Sequence, residues 1–182
     1  MIKLRRNISL ATGLIRLCGQ LFWNFGRVKV HGCQYFCGKG TKINVSQSGC
    51  LDLGKKNWFD RDTYISANGK IELGYNNFFN SNCKIVSTKK IEIGSNNLFG
   101  PNVVIVDHNH RFSDSNQLIC KQGFDSSSIK IGSDIWVGAN VTICSGVEIC
   151  DRVVVGANAV VTKSLSEPGV YVGNPLSKIK SL

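Results

Sequence analysis

Aliphatic residues recur every six positions through the second half of the chain. The series consists of Ile131, Val137, Ile143, Ile149, Val155 and Val161. A period of six fits neither an α-helix, with 3.6 residues per turn, nor a simple strand, with a period of two. It predicts a coil of short strands and corners in which one aliphatic side chain of each hexad points inward. Three hexads would make one triangular turn of about eighteen residues.

The same unit appears earlier with a spacing of twenty residues. Alternating apolar residues followed by glycine open three segments, and these glycines are Gly54, Gly74 and Gly94. We interpret each segment as the same triangular turn with two more residues at a corner. Asparagine tolerates the positive φ that a corner needs, and it recurs at 76–77, 96–97, 140 and 158. Successive turns would stack about 4.8 Å apart. A β-sandwich with coincidental spacing is the alternative.

Both ends of such a coil need a cover, because their backbone groups have no neighbouring turn. We predict a short amphipathic helix within residues 1–27, the coil over 28–167 and a capping tail over 168–182. Apolar residues at helical spacing support the helix, namely Leu10, Leu14, Leu17 and Leu21. The segment is too short and too polar to span a membrane. Its basic residues permit a weak contact with a membrane surface, although packing as a cap is favoured.

The coil is interrupted once, over residues 107–128. Long loops in compact folds are usually functional. This one contains His108 and His110, two of the three histidines of the chain, whereas His31 precedes the coil. The loop is therefore the first candidate for a site, and a pair of solvated loop histidines is the alternative.

Composition limits the class of protein. The chain has 182 residues, enough for one domain, and a formal net charge of +10. This charge favours an anionic partner, with plain solubility as the alternative. Scattered Lys and Arg without an aromatic-basic motif argue against nucleic acid. Eight cysteines without a CxxC pair indicate reduced thiols and no metal site. Reduced thiols in turn indicate a cytoplasmic protein, with a position at the inner face of a membrane as the alternative.

Three stretches carry a resemblance to a known family: "DIWVGANVTICSGVEI", "VVVGANAVVTKSL" and "VGNPLSKI". Together with the hexads they resemble the hexapeptide-repeat acyltransferases, especially the galactoside, maltose, capsule and lipopolysaccharide O-acetyltransferases. The resemblance implies an all-β chain folded as a left-handed parallel β-helix. The usual rule for parallel crossovers predicts a right-handed coil instead. The resemblance also implies a homotrimer with sites between protomers, and acetyl-CoA as the acetyl donor.

The resemblance implies roles for the loop residues. His110 lies five residues after Ile105 of "NVVI" and within "NHR", and it would be the general base, with His108 as the alternative. Asn80, thirty residues before His110, would orient the acceptor or the imidazole. Asp107 would either hold the tautomer of the histidine ring or remain a solvated loop acid.

The resemblance also implies binding residues. The residues for acetyl-CoA would be Trp136, Gly138, Ala139, Ala157, Thr162, Lys163 and Lys180. Those for the acceptor would be Ser66, Asn80 and His108. Trp136 has a second interpretation, as a buried residue of a prism face. The lysines would bind phosphate as point charges rather than bidentately.

We therefore expect direct transfer of an acetyl group from acetyl-CoA to a hydroxyl of a sugar or surface polysaccharide. A histidine suits this reaction because its pKa lies near neutrality. The alternatives are N-acetylation of a nucleotide-linked amino sugar and a β-helix scaffold without activity. A zinc enzyme of the carbonic-anhydrase type would need three histidines from neighbouring subunits, and the spacing of His31, His108 and His110 does not match.

Overall fold

Short parallel strands coil into a three-sided column in the computed structural model, which describes residues 2–32 and 34–182. Cys33 and the side chains of residues 2–11, including Leu10, lie outside this description. Helix α1 (Ile2–Trp23) precedes the column. We call each turn of the column a rung. The first four rungs contain β1 (Val28–Val30), β2 (Phe36–Cys37), β3 (Lys42–Val45), β4 (Cys50–Leu53), β5 (Trp58–Phe59), β6 (Tyr64–Ala67), β7 (Lys70–Leu73), β8 (Phe78–Phe79), β9 (Lys84–Ser87), β10 (Lys90–Ile93), β11 (Leu98–Phe99) and β12 (Val104–Val106).

The interrupting loop and the last rungs follow. The loop contains β13 (His108–His110), a 3-10 helix (Ile119–Lys121) and β14 (Phe124–Ser126). The fifth and sixth rungs and the tail contain β15 (Ile129–Ile131), β16 (Trp136–Val137), β17 (Thr142–Ile143), β18 (Glu148–Ile149), β19 (Val153–Val155), β20 (Val160–Val161), β21 (Gly169–Val172) and β22 (Ser177–Lys180).

The strands form three sheets, one on each side of the column. Sheet A has the order β1-β4-β7-β10-β15-β18, sheet B runs β2-β5-β8-β11-β16-β19-β21-β22, and sheet C runs β3-β6-β9-β12-β17-β20. The fold is the left-handed parallel β-helix that the resemblance implied, and the right-handed coil is wrong. The crossover rule describes connections packed on a sheet face, whereas here each connection is itself a strand of the next sheet.

The hexad positions form the core. All six aliphatic residues of the 131–161 series are at most 2% exposed. Phenylalanines at equivalent positions stack along the axis, with ring centroids 5.4 Å apart for Phe59 and Phe79 and 4.5 Å apart for Phe79 and Phe99. Each inward side chain thus packs on its counterparts in the rungs above and below. The prediction of inward aliphatic residues is confirmed.

Asparagines occupy the corners, as predicted. Asn76, Asn96, Asn140 and Asn158 have φ values of 58° to 61°, the left-handed region in which asparagine costs less than most residues. Along one corner the side-chain amides form a ladder, with Nδ2 to Oδ1 distances of 2.8, 2.8 and 3.0 Å joining Asn82, Asn102, Asn140 and Asn158. Asparagine therefore relieves strain at the corner and also joins successive rungs.

Helix α1 covers the first rung with a different face from the one that the leucine stripe predicts. Leu17 is buried and Leu21 packs partly against the core, but Leu14 is 43% exposed. Gly13 faces Phe36 so closely that an added Cβ would lie 2.6 Å from its ring. The helix has this orientation because amide side chains at its end form hydrogen bonds with the backbone of strand β3.

Two amide side chains replace the rung that would otherwise precede β3. Gln20 Oε1 accepts a hydrogen bond from the backbone N–H of Ile43 at 2.9 Å. Asn24 accepts one from the N–H of Val45 through Oδ1 at 2.9 Å, and its Nδ2 donates to the carbonyl of Ile43 at 2.9 Å. These contacts satisfy backbone groups that would be unpaired at the end of a solenoid.

The tail covers the other end. Strand β21 continues sheet B in parallel with β19, and β22 folds back antiparallel on β21. Lys178 Nζ lies 2.6 Å from Glu167 Oε2 and joins β22 to the segment before β21. The described part of the chain contains no helix that is long and apolar enough to cross a membrane.

Candidate functional site

The loop projects two histidines on a short β-ribbon. Strand β13 pairs antiparallel with β14, so that His110 lies opposite Phe124. Side chains two positions apart on a strand share a face, and both imidazole rings contact the Phe124 ring. The centroid distances are 5.5 Å for His108 and 4.7 Å for His110. The ribbon therefore presents the two imidazoles side by side.

Asp107, at the base of the ribbon, is fully buried, and its interpretation as a solvated loop acid is wrong. Its carboxylate accepts hydrogen bonds from the backbone N–H of Thr88 at 2.8 Å and of Lys89 at 2.9 Å, and from Ser87 Oγ at 2.7 Å. Burial by itself raises the pKa of this carboxyl group, but the hydrogen bonds outweigh it and hold the pKa below its ordinary value. Asp107 is thus a buried anion that fastens the loop to the third rung.

The buried carboxylate contacts His108 and not His110. Nδ1 of His108 lies 3.3 Å from Asp107 Oδ1, and the His108 side chain is only 19% exposed. With its proton on Nδ1, the ring would donate a hydrogen bond to the carboxylate, and Nε2 would be free to accept a proton. His110 is exposed to solvent and packs against Phe124.

Sequence reasoning missed the partners of Asp107, although a signal was present. Ala67, Ser87 and Asp107 stand twenty residues apart at one inward position of the repeat, and Ser87 is fully buried. Two polar residues at successive positions of an apolar series indicate a hydrogen bond between rungs.

We expect Asp107→Asn to lower the free energy of unfolding by about 2–3 kcal/mol at neutral pH, because hydrogen bonds to a charged acceptor are lost. The folded pKa of Asp107 is depressed, so its contribution is present above the unfolded pKa of about 3.9 and is lost as pH falls through the folded pKa. Urea unfolding at neutral and acidic pH would measure this. The matched control is Asp134→Asn, at a 76% exposed carboxylate, which should change stability by less than about 0.5 kcal/mol. A deficit that persists unchanged in acid would contradict the prediction.

One edge of sheet C, which we call the Asn80 edge, lies where sheet B turns into sheet C. Asn80 and Gly138 stand at corresponding corner positions of the third and fifth rungs, and Ala139 and Ala157 each follow this corner position, in the fifth and sixth rungs. Asn80 Oδ1 accepts a hydrogen bond from the backbone N–H of Ser81 at 2.8 Å. A Cβ on Gly138 would lie 2.6 Å from the nitrogen of Ala157, so glycine permits the close stacking of these rungs.

Two of the predicted cofactor residues lie on sheet B beside this edge. Trp136 is 57% exposed on the outer face, so its interpretation as a buried face residue is wrong. It lines a shallow cavity of about 210 Å³ with Leu98, Val154 and Leu182. Lys180 is exposed on β22, the last strand of sheet B.

The opposite edge of sheet C, which we call the histidine edge, carries the remaining groups. The loop with His108 and His110 leaves from here in the fourth rung, and the exposed Thr162 and Lys163 follow β20 in the sixth rung. Ser145, between them, donates through Oγ to the carbonyl of Asp107 at 2.8 Å. The loop is therefore anchored to the rung above as well as to the rung below.

The two edges are separated by the width of sheet C. A four-residue strand such as β9 spans about 13 Å at 3.3 Å per residue. Within the described chain, no hydrogen bond or ring contact joins Asn80 to either histidine. Ser66 lies between the edges on β6, nearly buried, in a groove that it lines together with Gln20 and Trp23 of α1. The structure thus divides most of the predicted site residues between the two edges of sheet C, with Trp136 and Lys180 on the adjoining sheet B and Ser66 between the edges.

Metal ligands are not clustered in the described part of the chain, where no group of three or more His, Cys, Asp or Glu side chains could hold a metal ion. His31 is paired with Asp52 at 2.8 Å on sheet A, far along the column from the histidine loop. The seven described cysteines are free thiols.

Comparisons with known proteins agree with the fold. The family model described as "Bacterial transferase hexapeptide (six repeats)" matches residues 128–163. A maltose O-acetyltransferase from Clostridium difficile 630 is 33% identical, with a TM-score of 0.63, over 74% of this chain and 70% of that chain. A comparison with curated proteins gives no significant match.

Two further solved structures are similar. A hexapeptide-repeat acetyltransferase from Vibrio cholerae O1 biovar eltor, complexed with acetyl coenzyme A, is 27% identical with a TM-score of 0.65, over 79% of this chain and 72% of that chain. An N-acyltransferase from Bacillus cereus is 20% identical with a TM-score of 0.75, over 92% of this chain and 87% of that chain, and shows the fold alone. Repeat, fold and an identity of 33% over most of both chains together mean that this chain belongs to the hexapeptide-repeat acyltransferase family.

Proposed function

We propose that the protein is an acetyl-CoA-dependent O-acetyltransferase whose active site forms between two copies of the chain in a homotrimer. The observation that supports this is the division of the site residues between the Asn80 edge and the histidine edge. One chain separates these edges by the width of sheet C, whereas two chains packed side by side bring the histidine edge of one against the Asn80 edge of the next. An acetyltransferase relative at 33% identity supports the reaction.

His110 acts as the general base in this proposal. Its imidazole takes the proton of the acceptor hydroxyl as the hydroxyl oxygen attacks the thioester carbonyl. The backbone N–H of Ala139 donates to the carbonyl oxygen as negative charge develops there, because the neighbouring N–H groups of Gly138 and Asn140 are already bonded to the carbonyls of Val155 and Pro101. The C–S bond of the thioester breaks, and the proton passes from His110 to the departing thiolate sulfur, so the chain is regenerated without an acyl-enzyme. Acetyl-CoA supplies the activated acetyl group.

One contact favours His108 for the same role. Asp107 orients the His108 ring through Nδ1, and a hydrogen bond at Nδ1 selects the tautomer whose Nε2 can accept a proton. The exposure of His110 and its place in "NHR" support the first assignment. His108 then contacts the acceptor, and Asp107 fixes its position.

The basic residues near the two edges bind the donor. Lys163 on the histidine edge and Lys180 beside the Asn80 edge carry positive charges that suit the phosphates of CoA. Trp136, exposed beside Gly138, offers an apolar surface to the pantetheine arm. Asn80 and Ser66 bind the acceptor, which we propose to be a sugar unit of a surface polysaccharide.

The test is to incubate the natural chain with acetyl-CoA and separate panels of sugars, nucleotide-linked amino sugars and polysaccharides, and to identify acetylated products by mass spectrometry. An ester on a sugar hydroxyl is the expected product, and free CoA in place of acetyl-CoA is the control. An amide would identify an N-acetyltransferase instead. If no acceptor reacts and neither CoA nor acetyl-CoA raises the melting temperature, the fold serves as a scaffold and the proposal is wrong.

A further inference from the structure

Several of the most exposed apolar side chains lie on helix α1 and at Phe25, just after the helix ends. Ile15, Phe22, Trp23 and Phe25 are 70%, 75%, 77% and 88% exposed. Ile15 and Phe22 lie seven residues apart and thus on one side of the helix. The same helical spacing continues in the sequence at Leu4, Ile8, Ala11 and Cys18. Large contiguous apolar patches are rare on proteins without a partner.

The orientation of this surface is determined by the coil. Gln20 and Asn24 accept hydrogen bonds from the backbone of β3, and Gly13 packs closely against Phe36. The helix therefore cannot rotate its other side inward without breaking the hydrogen bonds to the backbone of Ile43 and Val45. The apolar side that remains outward is a consequence of how the first rung is capped.

The charge of the surrounding segment is uniformly positive. The first 51 residues contain eight Lys and Arg and no acidic residue, and Asp52 is the first acid of the chain. Apolar residues with aromatic side chains at one end, set among basic residues, have the composition of helices that lie in a membrane interface.

We propose that α1 and Phe25 bind an anionic membrane surface, with Phe22, Trp23 and Phe25 inserted between lipid headgroups. Anionic headgroups complement the basic segment. A second copy of the chain would instead bring an equally basic segment against this one, and like charges would oppose the contact. The proposed surface lies at the first rung, three rungs before the histidine loop, and it does not depend on the proposed function.

The test is flotation of the natural chain with vesicles of phosphatidylcholine alone and of phosphatidylcholine with phosphatidylglycerol. We expect binding to the anionic vesicles only, and weaker binding as NaCl is raised, because salt screens the attraction. The triple variant Phe22→Gln, Trp23→Gln, Phe25→Gln should bind at least tenfold more weakly. These side chains are exposed, so its melting temperature should match that of the natural chain.

A matched control separates this surface from exposed apolar residues in general. Phe112, Leu118 and Ile119 of the loop are 75%, 66% and 57% exposed, and their triple replacement by Gln should leave vesicle binding unchanged. Equal binding to both vesicle types would overturn the proposal, and so would full binding by the aromatic variant. Absence of vesicle binding by the natural chain, with a changed oligomeric state in the aromatic variant, would show that a second copy covers the surface.

Discussion

Replacing His110 with Ala should lower kcat by about 10²- to 10⁴-fold, the range that general-base catalysis supplies. With His110 as the general base, as proposed, no other group takes the proton from the acceptor hydroxyl. The side chain is exposed and packs along Phe124, so the fold and the affinity for CoA should be unaffected. Steady-state rates with saturating acetyl-CoA, and calorimetric titration of CoA, measure the two quantities separately.

His108→Ala is the matched control, because the two histidines share one strand face and one aromatic neighbour. In the proposed assignment it mainly raises KM for the acceptor and reduces kcat far less than His110→Ala. A larger fall in kcat for the His108 variant would transfer the role of base to the Asp107–His108 pair. Full activity of both variants would exclude a histidine base.

The largest effect on stability is expected for Phe79→Ala. Phe79 is fully buried between Phe59 and Phe99 in the centre of the column. Its removal leaves a cavity that the neighbouring rungs cannot fill, because their positions are set by backbone hydrogen bonds on all three sheets. Large-to-small changes of this kind cost about 3–5 kcal/mol. Urea unfolding at a fixed protein concentration measures the loss, since assembly also contributes to apparent stability.

Phe112→Ala is the control for this experiment, since Phe112 is 75% exposed in the loop and should change stability by less than about 0.5 kcal/mol. A cost below about 1 kcal/mol for Phe79→Ala would contradict the packing of the core. It would mean that the rings do not form a continuous column in solution.

Much of the fold was predictable because its information is local. An inward residue every six positions follows from the length of one prism face, so the repeat indicates the core directly. Asparagine at 76, 96, 140 and 158 likewise indicates corners, because a positive φ is a property of a single residue. The handedness was not predictable from periodicity and came from the resemblance.

The candidate site was predictable only in part. The interruption of the repeat located the loop and its histidines. The outward direction of Trp136 follows from the repeat, because Val137 beside it points inward and side chains alternate along a strand. Whether another segment covers the indole ring was decided only by the tertiary structure. The burial of Asp107 was indicated only indirectly, by its place twenty residues after Ser87 at an inward position of the repeat, and its contacts with Ser87 and Thr88 were decided by the structure.

By itself the sequence determined the repeat, the inward residues, the corners and the position of the interruption, all of which are set within one or two hexads. Only the tertiary structure decided which histidine the buried carboxylate contacts, which side of α1 caps the first rung and how the site residues divide between two edges. The physical reason is that these features depend on contacts between residues about twenty positions apart. Ser87 and Asp107 join two rungs, and Asn24 and Val45 join the end of α1 to the first rung.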